Sequence, residues 1–485
     1  MKLKRIMSIL TLAAFAMLLP TAAFAEGGEM LGDQLSLVWI IPFVGMLLSI
    51  AIFPLVKGEW WEKNQLWVAL FWAAVFVVPF FVKFGAHITI FELIHTIALD
   101  YFPFLLLLIA LYAAAGGIVI RGSLVGTPKL NTIILAIGTV LASVIGTTGA
   151  AMVLIRPIIR ANEWRKHKMH TVIFFIFLIC NIGGSLTPLG DPPLFMGYLR
   201  GVPFFWCLTH LWPMYLFTSV LLLAIYYVIE SKRYKRDLAE GCVQPEHSGE
   251  KLQFDGLINV AFIVLILIGT YSSGFLAGLD AFTNADGSTK GITLFTHGEE
   301  TAVATYPNLI KDAIYLVAIA LSMKFTKKTL REENNFNWGA MEEVAKLFIG
   351  IFITMIPALA LLEAKGASLG LQEEWQFFWS TGLLSGFLDN TPTYLVFLTT
   401  AASLGAAEGI VTTVGTVAVP LLIAVSVGAV FMGALSYIGN APNFMVRSIA
   451  EEHDIKMPSF FGYMKWSFGI LVPVFLLDTL IFMIL

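Results

Sequence analysis

Long apolar runs separated by short polar segments dominate this chain. Runs at about residues 37–56, 66–82, 102–120, 211–229, 257–271, 309–323, 347–362 and 468–485 are each long enough, or nearly so, to cross the roughly 30 Å hydrocarbon core of a bilayer as one helix. Two longer runs, 171–199 and 411–449, complete a set of ten crossings, but each is interrupted. The first interruption reads Gly183-Gly184-Ser185-Leu186-Thr187-Pro188-Leu189-Gly190-Asp191-Pro192-Pro193, with three prolines, three glycines and a carboxylate. Proline removes a backbone donor and clashes with the preceding turn, and glycine lets the chain leave helical geometry, so the helix must break there. In lipid such a break survives only where it is buried in protein or lines a wet cavity.

Two further apolar runs, 130–159 and 377–404, are interrupted at Gly146-Thr147-Thr148-Gly149 and at Asp389-Asn390-Thr391-Pro392. Their arms of about 10 to 16 residues are short for full crossings, which predicts re-entrant hairpins with tips at mid-membrane. Residues 87–100 place Ile88, Phe91, Ile94 and Leu99 among polar positions. That pattern predicts a segment lying at the interface, with His87, Glu92 and His95 wetted.

Composition agrees: 58% hydrophobic and 13% charged residues with a mean hydropathy of +0.82 define a polytopic membrane protein whose first partner is the lipid bilayer. The net charge of -3 identifies no partner, and nothing points to nucleic acid. Cys180, Cys207 and Cys242 have neither disulfide nor metal-ligand spacing. Lys2, Lys4 and Arg5 precede an apolar run ending in Ala23-Phe24-Ala25, the form of a secretory signal over 1–25, with an uncleaved first helix as the alternative.

Charge then orients the chain. With the mature N-terminus outside, 22 Lys and Arg residues fall on the inside and 5 on the outside, as expected for a bacterial-type inner membrane. Basic residues flank the first hairpin (Lys129 and Arg160 to Lys168) and acidic ones the second (Glu363, Glu373, Glu374 and Glu408), so the two enter from opposite sides. The fold class this predicts is an all-α membrane protein of two inverted-topology repeats, 26–229 and 257–485, joined by a cytoplasmic linker at 230–256. Each repeat has five spans, one hairpin and one discontinuous helix.

An internal match supports the repeat. Residues 184–196 (GSLTPLGDPPLFM) align without gaps on 433–445 (GALSYIGNAPNFM), with identity at six of thirteen columns, while Thr187/Ser436, Leu189/Ile438 and Asp191/Asn440 keep their chemistry. The hairpin tips correspond as Ser143 on Ser385, Thr148 on Asn390 and Gly149 on Thr391. Two tips and two breaks brought to the midplane would expose helix-end carbonyls and amides beside hydroxyls, amides and carboxylates.

The candidate ion and proton ligands are therefore Asp389, Asp191, Asn390, Thr391, Thr147, Thr148, Gly149, Thr187, Gly190, Ser436, Gly439, Asn440 and Asn443. Pro188, Pro192, Pro193, Pro392 and Pro442 act as structural breaks. Asp191 and Asp389 are the ionisable residues in the four breaks, with no Lys, Arg or His. That balance favours a hard cation, which wants oxygen ligands, over an organic anion. Mid-membrane aspartates cost about 2.5 to 3.5 kcal/mol on insertion scales and are functional by default. The bland alternative is that they cap broken helix ends. Asp312 and Asp478 lie in or near spans without a break and rank below them, and Phe195 and Met196 are read as packing.

Two inverted halves, a hairpin with a polar tip, and the unwound Thr187-Pro188-x-Gly190-x-Pro192-Pro193 resemble the ion transporter superfamily. The closer resemblance is to its arsenite permease and sodium/proton antiporter branch (ArsB/NhaD), which Leu388-Asp389-Asn390-Thr391-Pro392-Thr393 also resembles, and it covers nearly all of the mature chain. The dicarboxylate transporters of the superfamily carry Ser-Asn-Thr at both tips, where this chain has Thr147-Thr148-Gly149 and Asp389-Asn390-Thr391. The resemblance implies sodium at Thr148, Gly190, Asn390 and Asn440, no cofactor beyond transported or coupling sodium and protons, and a homodimer paired through a scaffold.

The function expected is a secondary transporter exchanging cytoplasmic sodium for external protons by alternating access, with Asp389 and Asp191 as the titrating pair. Sodium-coupled citrate or dicarboxylate symport, or arsenite or oxyanion permeation, is the alternative. From another class, an intramembrane aspartyl protease fails on detail. Position 188 is proline where glycine is required, Asp191 opens a proline pair, and no zinc or serine motif is present, so an enzyme is not expected.

Overall fold

The computed structural model describes residues 31–485 except 123, 246–251, 286 and 299; the signal-like segment 1–25 lies outside the described residues. Among the described residues, nine helices are long and apolar enough to cross a membrane, and the strands form only two-stranded ribbons.

In chain order the first long helices are α1 (Ile41–Val56), α2 (Gly58–Phe84) and α3 (Ala86–Ala115). A strand, β1 (Val119–Arg121), precedes the helix pair α4 (Pro128–Ile145) and α5 (Thr147–Ala161). Then come α6 (Met169–Leu178), α7 (Pro192–Leu199) and α8 (Trp206–Ala239). The strand β2 (Gln253–Asp255) pairs with β1 and leads into α9 (Ile258–Ala277). The ribbon β3 (Gly291–His297) and β4 (Glu300–Thr305) precedes α10 (Tyr306–Phe325) and α11 (Gly339–Lys365). A second helix pair, α12 (Glu374–Phe387) and α13 (Asn390–Ala402), is followed by the ribbon β5 (Ile410–Thr412) and β6 (Gly415–Val417). The chain ends with α14 (Val419–Met432), α15 (Ala441–Glu452) and α16 (Phe460–Thr479).

Local chemistry sets where each helix pair begins. Thr127 Oγ1 accepts from the Leu130 amide and Pro128 opens α4, while Glu373 and Gln376 form a capping box on α12. The two helix pairs and both broken helices pack with α8 and α16 into one group, and α1, α2, α3, α9, α10 and α11 pack into another. The groups meet where α5 lies against α3 and α13 against α11.

The structure departs from the sequence reading in five places. Residues 87–100 do not form a separate interfacial segment, because they begin α3, whose π-helical turn His95–Tyr101 turns polar groups onto partners. Asp100 accepts from Arg200 Nη2 at 2.7 Å and Tyr101 Oη donates to the Ala345 carbonyl at 2.9 Å. His87 Nδ1 lies 2.8 Å from His297 Nδ1 on β3.

The run 411–449 does not start as a helix. A two-stranded ribbon turning at Thr413 and Val414, with Gly415 (φ 119°) opening its second strand, occupies 410–417, and Pro420 in the first turn helps start α14, only 14 residues long. The span read at 309–323 is present as α10 but carries Lys311, Asp312 and Lys324, which keeps it outside the nine apolar helices. The first arm of the first helix pair is 18 residues, longer than expected, since Thr127 and Pro128 start it early. Finally, the linker does not open at 230: α8 runs on to Ala239, with Glu230 and Asp237 fully buried.

Candidate functional site

The two broken helices follow the same backbone path. After α6 ends, a 3-10 turn at Ile182–Leu186 leads to extended residues at Thr187 (φ −142°, ψ 158°) and Asp191 (φ −138°, ψ 140°) before α7 restarts. After α14, a 3-10 turn at Gly433–Leu435 leads to extended Ser436 (φ −138°, ψ 173°) and Asn440 (φ −151°, ψ 139°) before α15. Proline in the first turn of each second arm restarts the helix, because its missing N–H has no partner there anyway.

The hydroxyls of Thr187 and Ser436 accept from the amides two residues on, each at 3.2 Å, making matching turns. Thr187 also donates to the Ser143 carbonyl at 2.5 Å, tying the break to the end of α4. Pro188, Pro193 and Pro442 are buried, as is Pro392 near the start of α13.

Glycine is required at Gly190. A Cβ there would sit 2.1 Å from the Gly184 carbonyl oxygen, backbone against backbone. Gly190 in turn accepts from the Thr147 amide at 2.8 Å, so the break and the start of α5 are stitched together. Gly439 is the counterpart, with a Cβ falling 2.5 Å from the Gly433 oxygen. Gly190→Ala is expected to cost about 1–3 kcal/mol by overpacking and to displace the Asp191 backbone. Thermal unfolding in detergent, together with a transport assay, checks both effects.

All four interruptions converge on Asp191, which is 1% exposed. Its Oδ1 accepts from Thr147 Oγ1 at 3.0 Å and from Asn440 Nδ2 at 2.9 Å, and its Oδ2 accepts from Asn390 Nδ2 at 2.6 Å. Thr147 opens α5, Asn390 opens α13 and Asn440 precedes α15. One carboxylate thus collects three neutral donors from three other breaks. Among the described residues none of its hydrogen-bond partners is a Lys, Arg or His.

The other candidates divide by geometry. Asn443 Nδ2 donates to the Gly433 and Ser436 carbonyls at 2.9 and 3.0 Å and so braces the second break. Thr391 donates weakly to Asn390 Oδ1 at 3.5 Å, and its amide goes to Asp389 Oδ1 at 2.9 Å. Asp389 is thereby the N-cap of α13, half-buried. The donor to Asp191 from the first tip is Thr147, so Thr147 rather than Thr148 stands where Asn390 stands on the second tip. Thr148 is half-buried, and a Cβ on Gly149 would lie 3.1 Å from the Ala115 methyl of α3. Asp478 is fully buried elsewhere, both oxygens 2.9 Å from Thr218 Oγ1, and Asp312 sits 3.7 Å from Lys311.

Asn181 was not among the sequence candidates, yet it is fully buried and donates 2.8 Å bonds to the Ile176 carbonyl and to Asn443 Oδ1, bridging the two breaks. Its signal was an amide just before Ile182-Gly183-Gly184 at the end of an otherwise apolar run.

A protein-family model described as "Putative citrate transport" matches residues 32–483. The chain belongs to that family. No curated protein matches it. Membership makes the chain a transporter-family membrane protein related to the citrate transporters of the ion transporter superfamily, and does not single out the arsenite and antiporter branch. A family of transporters is also compatible with the absence of catalysis.

Proposed function

We propose that the chain is a sodium/proton antiporter in which Asp191 binds sodium and protons in competition, moving cytoplasmic sodium outward against external protons. The observation that carries this reading is the convergence of Thr147, Asn390 and Asn440 on one buried carboxylate that has no basic partner among the described residues. A citrate or dicarboxylate bound at such a site would add negative charge beside Asp191 with no cation to offset it. A sodium ion or a proton neutralises it instead. Ligand deprotonation links cation binding to proton release, so exchange follows if the loaded and protonated forms can change access and the empty charged form cannot.

In this reading α4–α5 and α12–α13 are the re-entrant hairpins of two inverted repeats, and the group they form with the broken helices moves against the other group. The packing of the helices into two groups, with the breaks inside one, supports that motion. Sodium would draw its ligands from Asp191, Thr147, Asn390, Asn440 and the Gly190 carbonyl.

Asp389 serves the helix start in this account. Asn caps as well as Asp, so Asp389→Asn should keep exchange within about threefold of the parent, whereas Asp389→Ala should lose about 1 kcal/mol of stability. Vesicle assays and thermal unfolding separate the two. An Asp389→Asn protein that folds normally but exchanges nothing would return Asp389 to the titrating pair.

A second reading, sodium-coupled carboxylate symport, is favoured by the family description. It predicts that citrate or a dicarboxylate, rather than a pH gradient alone, drives sodium movement.

A further inference from the structure

We infer that Asn181 supplies an oxygen ligand to the bound cation, through Oδ1, at a seat shared with the Gly439 carbonyl and separated from Asp191 only by Asn440. The inference rests on the cation-binding reading above and names a residue that reading did not contain.

The orientation of the Asn181 side-chain amide is forced. Which end of an asparagine side chain is nitrogen is settled by its hydrogen-bond network. Asn443 Nδ2 faces two backbone carbonyls, Gly433 and Ser436, which can only accept. Its Oδ1 must therefore face Asn181, which must answer with Nδ2. The second N–H of Asn181 goes to the Ile176 carbonyl, again an acceptor only. Turning the Asn181 amide over would set oxygen against oxygen at both contacts.

Both donors are thus spent, and Asn181 Oδ1 points elsewhere. Among the described residues it is the one side-chain amide oxygen that is buried without a partner. Buried acceptors are overwhelmingly paired, so a free acceptor at a polar junction is the group that a water or a cation would engage.

A backbone carbonyl oxygen lies on the same side of Gly433 as this free acceptor. Around the point where a Cβ on Gly433 would lie, the nearest atoms are Asn181 Oδ1 at 2.8 Å, the Gly439 carbonyl oxygen at 3.4 Å and Asn440 Cβ at 3.7 Å. At the matching point on Gly184 in the first break they are Thr147 Cγ2 at 2.7 Å, Asp191 Cβ at 2.9 Å and the Gly190 oxygen at 3.0 Å. The second break is the looser of the two, and where the first presents a methyl it presents an oxygen. Asn440 joins this seat to Asp191, since its Nδ2 donates both to Asp191 Oδ1 and to the Cys180 carbonyl, each at 2.9 Å. Oxygens without formal charge here, beside one carboxylate there, make a ligand set for a monovalent cation.

The test is equilibrium sodium binding by calorimetry on the purified detergent-solubilised protein, followed by sodium-dependent transport in liposomes. Asn181→Leu should weaken sodium binding about tenfold, raise the sodium KM by a similar factor with the maximal rate within about twofold, and change the sodium-to-lithium preference. Unchanged affinity and unchanged ion preference in a folded Asn181→Leu protein would overturn the assignment, as would a fall in maximal rate alone, which is what a purely structural role gives. Should Asn181→Leu fail to assemble, Gly433→Ala places a methyl in the same seat without removing a hydrogen bond. It should weaken sodium binding likewise, and an unaltered affinity there is equally decisive against the proposal. Failure of the wild-type protein to bind sodium at all would instead sink the cation reading on which the inference stands.

Discussion

Arg165→Leu is expected to destabilise the folded protein by about 3–5 kcal/mol, the usual result of stripping one partner from a buried ion pair. Arg165 follows α5, its side chain fully buried, with Nε donating to Asp237 Oδ2 at 2.8 Å and Nη1 donating to Glu230 Oε1. His170 Nε2 meets Glu230 Oε2 at 2.5 Å, His167 Nδ1 meets Asp237 Oδ1 at 2.6 Å, and Asn131 Nδ2 donates to Glu230 at 2.8 Å. This cluster ties the open end of α4–α5 to α8. Removing the guanidinium leaves two buried carboxylates facing only histidines and amides. The triple change Arg165→Leu, Glu230→Gln, Asp237→Asn removes the charges together and should recover most of the loss. Thermal unfolding of the three proteins in one detergent measures it; an Arg165→Leu protein as stable as the parent would contradict the account.

Asp191→Asn is expected to abolish coupled exchange, by at least about a hundredfold in rate, since the amide can neither release a proton nor neutralise sodium. The fold should survive, because Asn440 already occupies the equivalent place in the second break with the same extended backbone. Asp191→Glu keeps the charge but lengthens the side chain in a cage whose donors stand 2.6 to 3.0 Å away. It should therefore retain a reduced, measurable exchange. The contrast between the two variants separates charge from shape.

Much of this site was legible before any coordinates. The breaks at 183–193 and 436–443 announce themselves through proline and glycine inside apolar runs, the first with a carboxylate as well, and the match between 184–196 and 433–445 sets Asp191 against Asn440, two residues that share the same extended backbone. Helix breaking is local chemistry, so it reads directly from residue types.

The register of the first tip did not read. Thr147 and Thr148 are chemically alike, and only the hydrogen bond from the Thr147 amide to Gly190 decides which one faces Asp191. The role of Asp389 as a cap depends on where α13 starts, which one residue of shift would alter. The run at 411–449 misled because Val411 and Val417 suit a strand as well as a membrane helix, and the turn at Thr413 and Val414 settles the matter. The Arg165 cluster and Asn181 stayed hidden for another reason. The pairings that hold them span 60 to 99 residues in the cluster and 262 from Asn181 to Asn443, and no local pattern encodes such pairings.

The central claim, that Asp191 exchanges sodium for protons, is tested most directly in liposomes holding the purified protein and a trapped pH-sensitive dye. When sodium is added outside with no carboxylate present, the account predicts that sodium enters, protons leave and the lumen turns alkaline, and that Asp191→Asn abolishes the change. A lumen that stays at constant pH until citrate is supplied, with citrate then accumulating alongside sodium, would contradict it and establish symport instead.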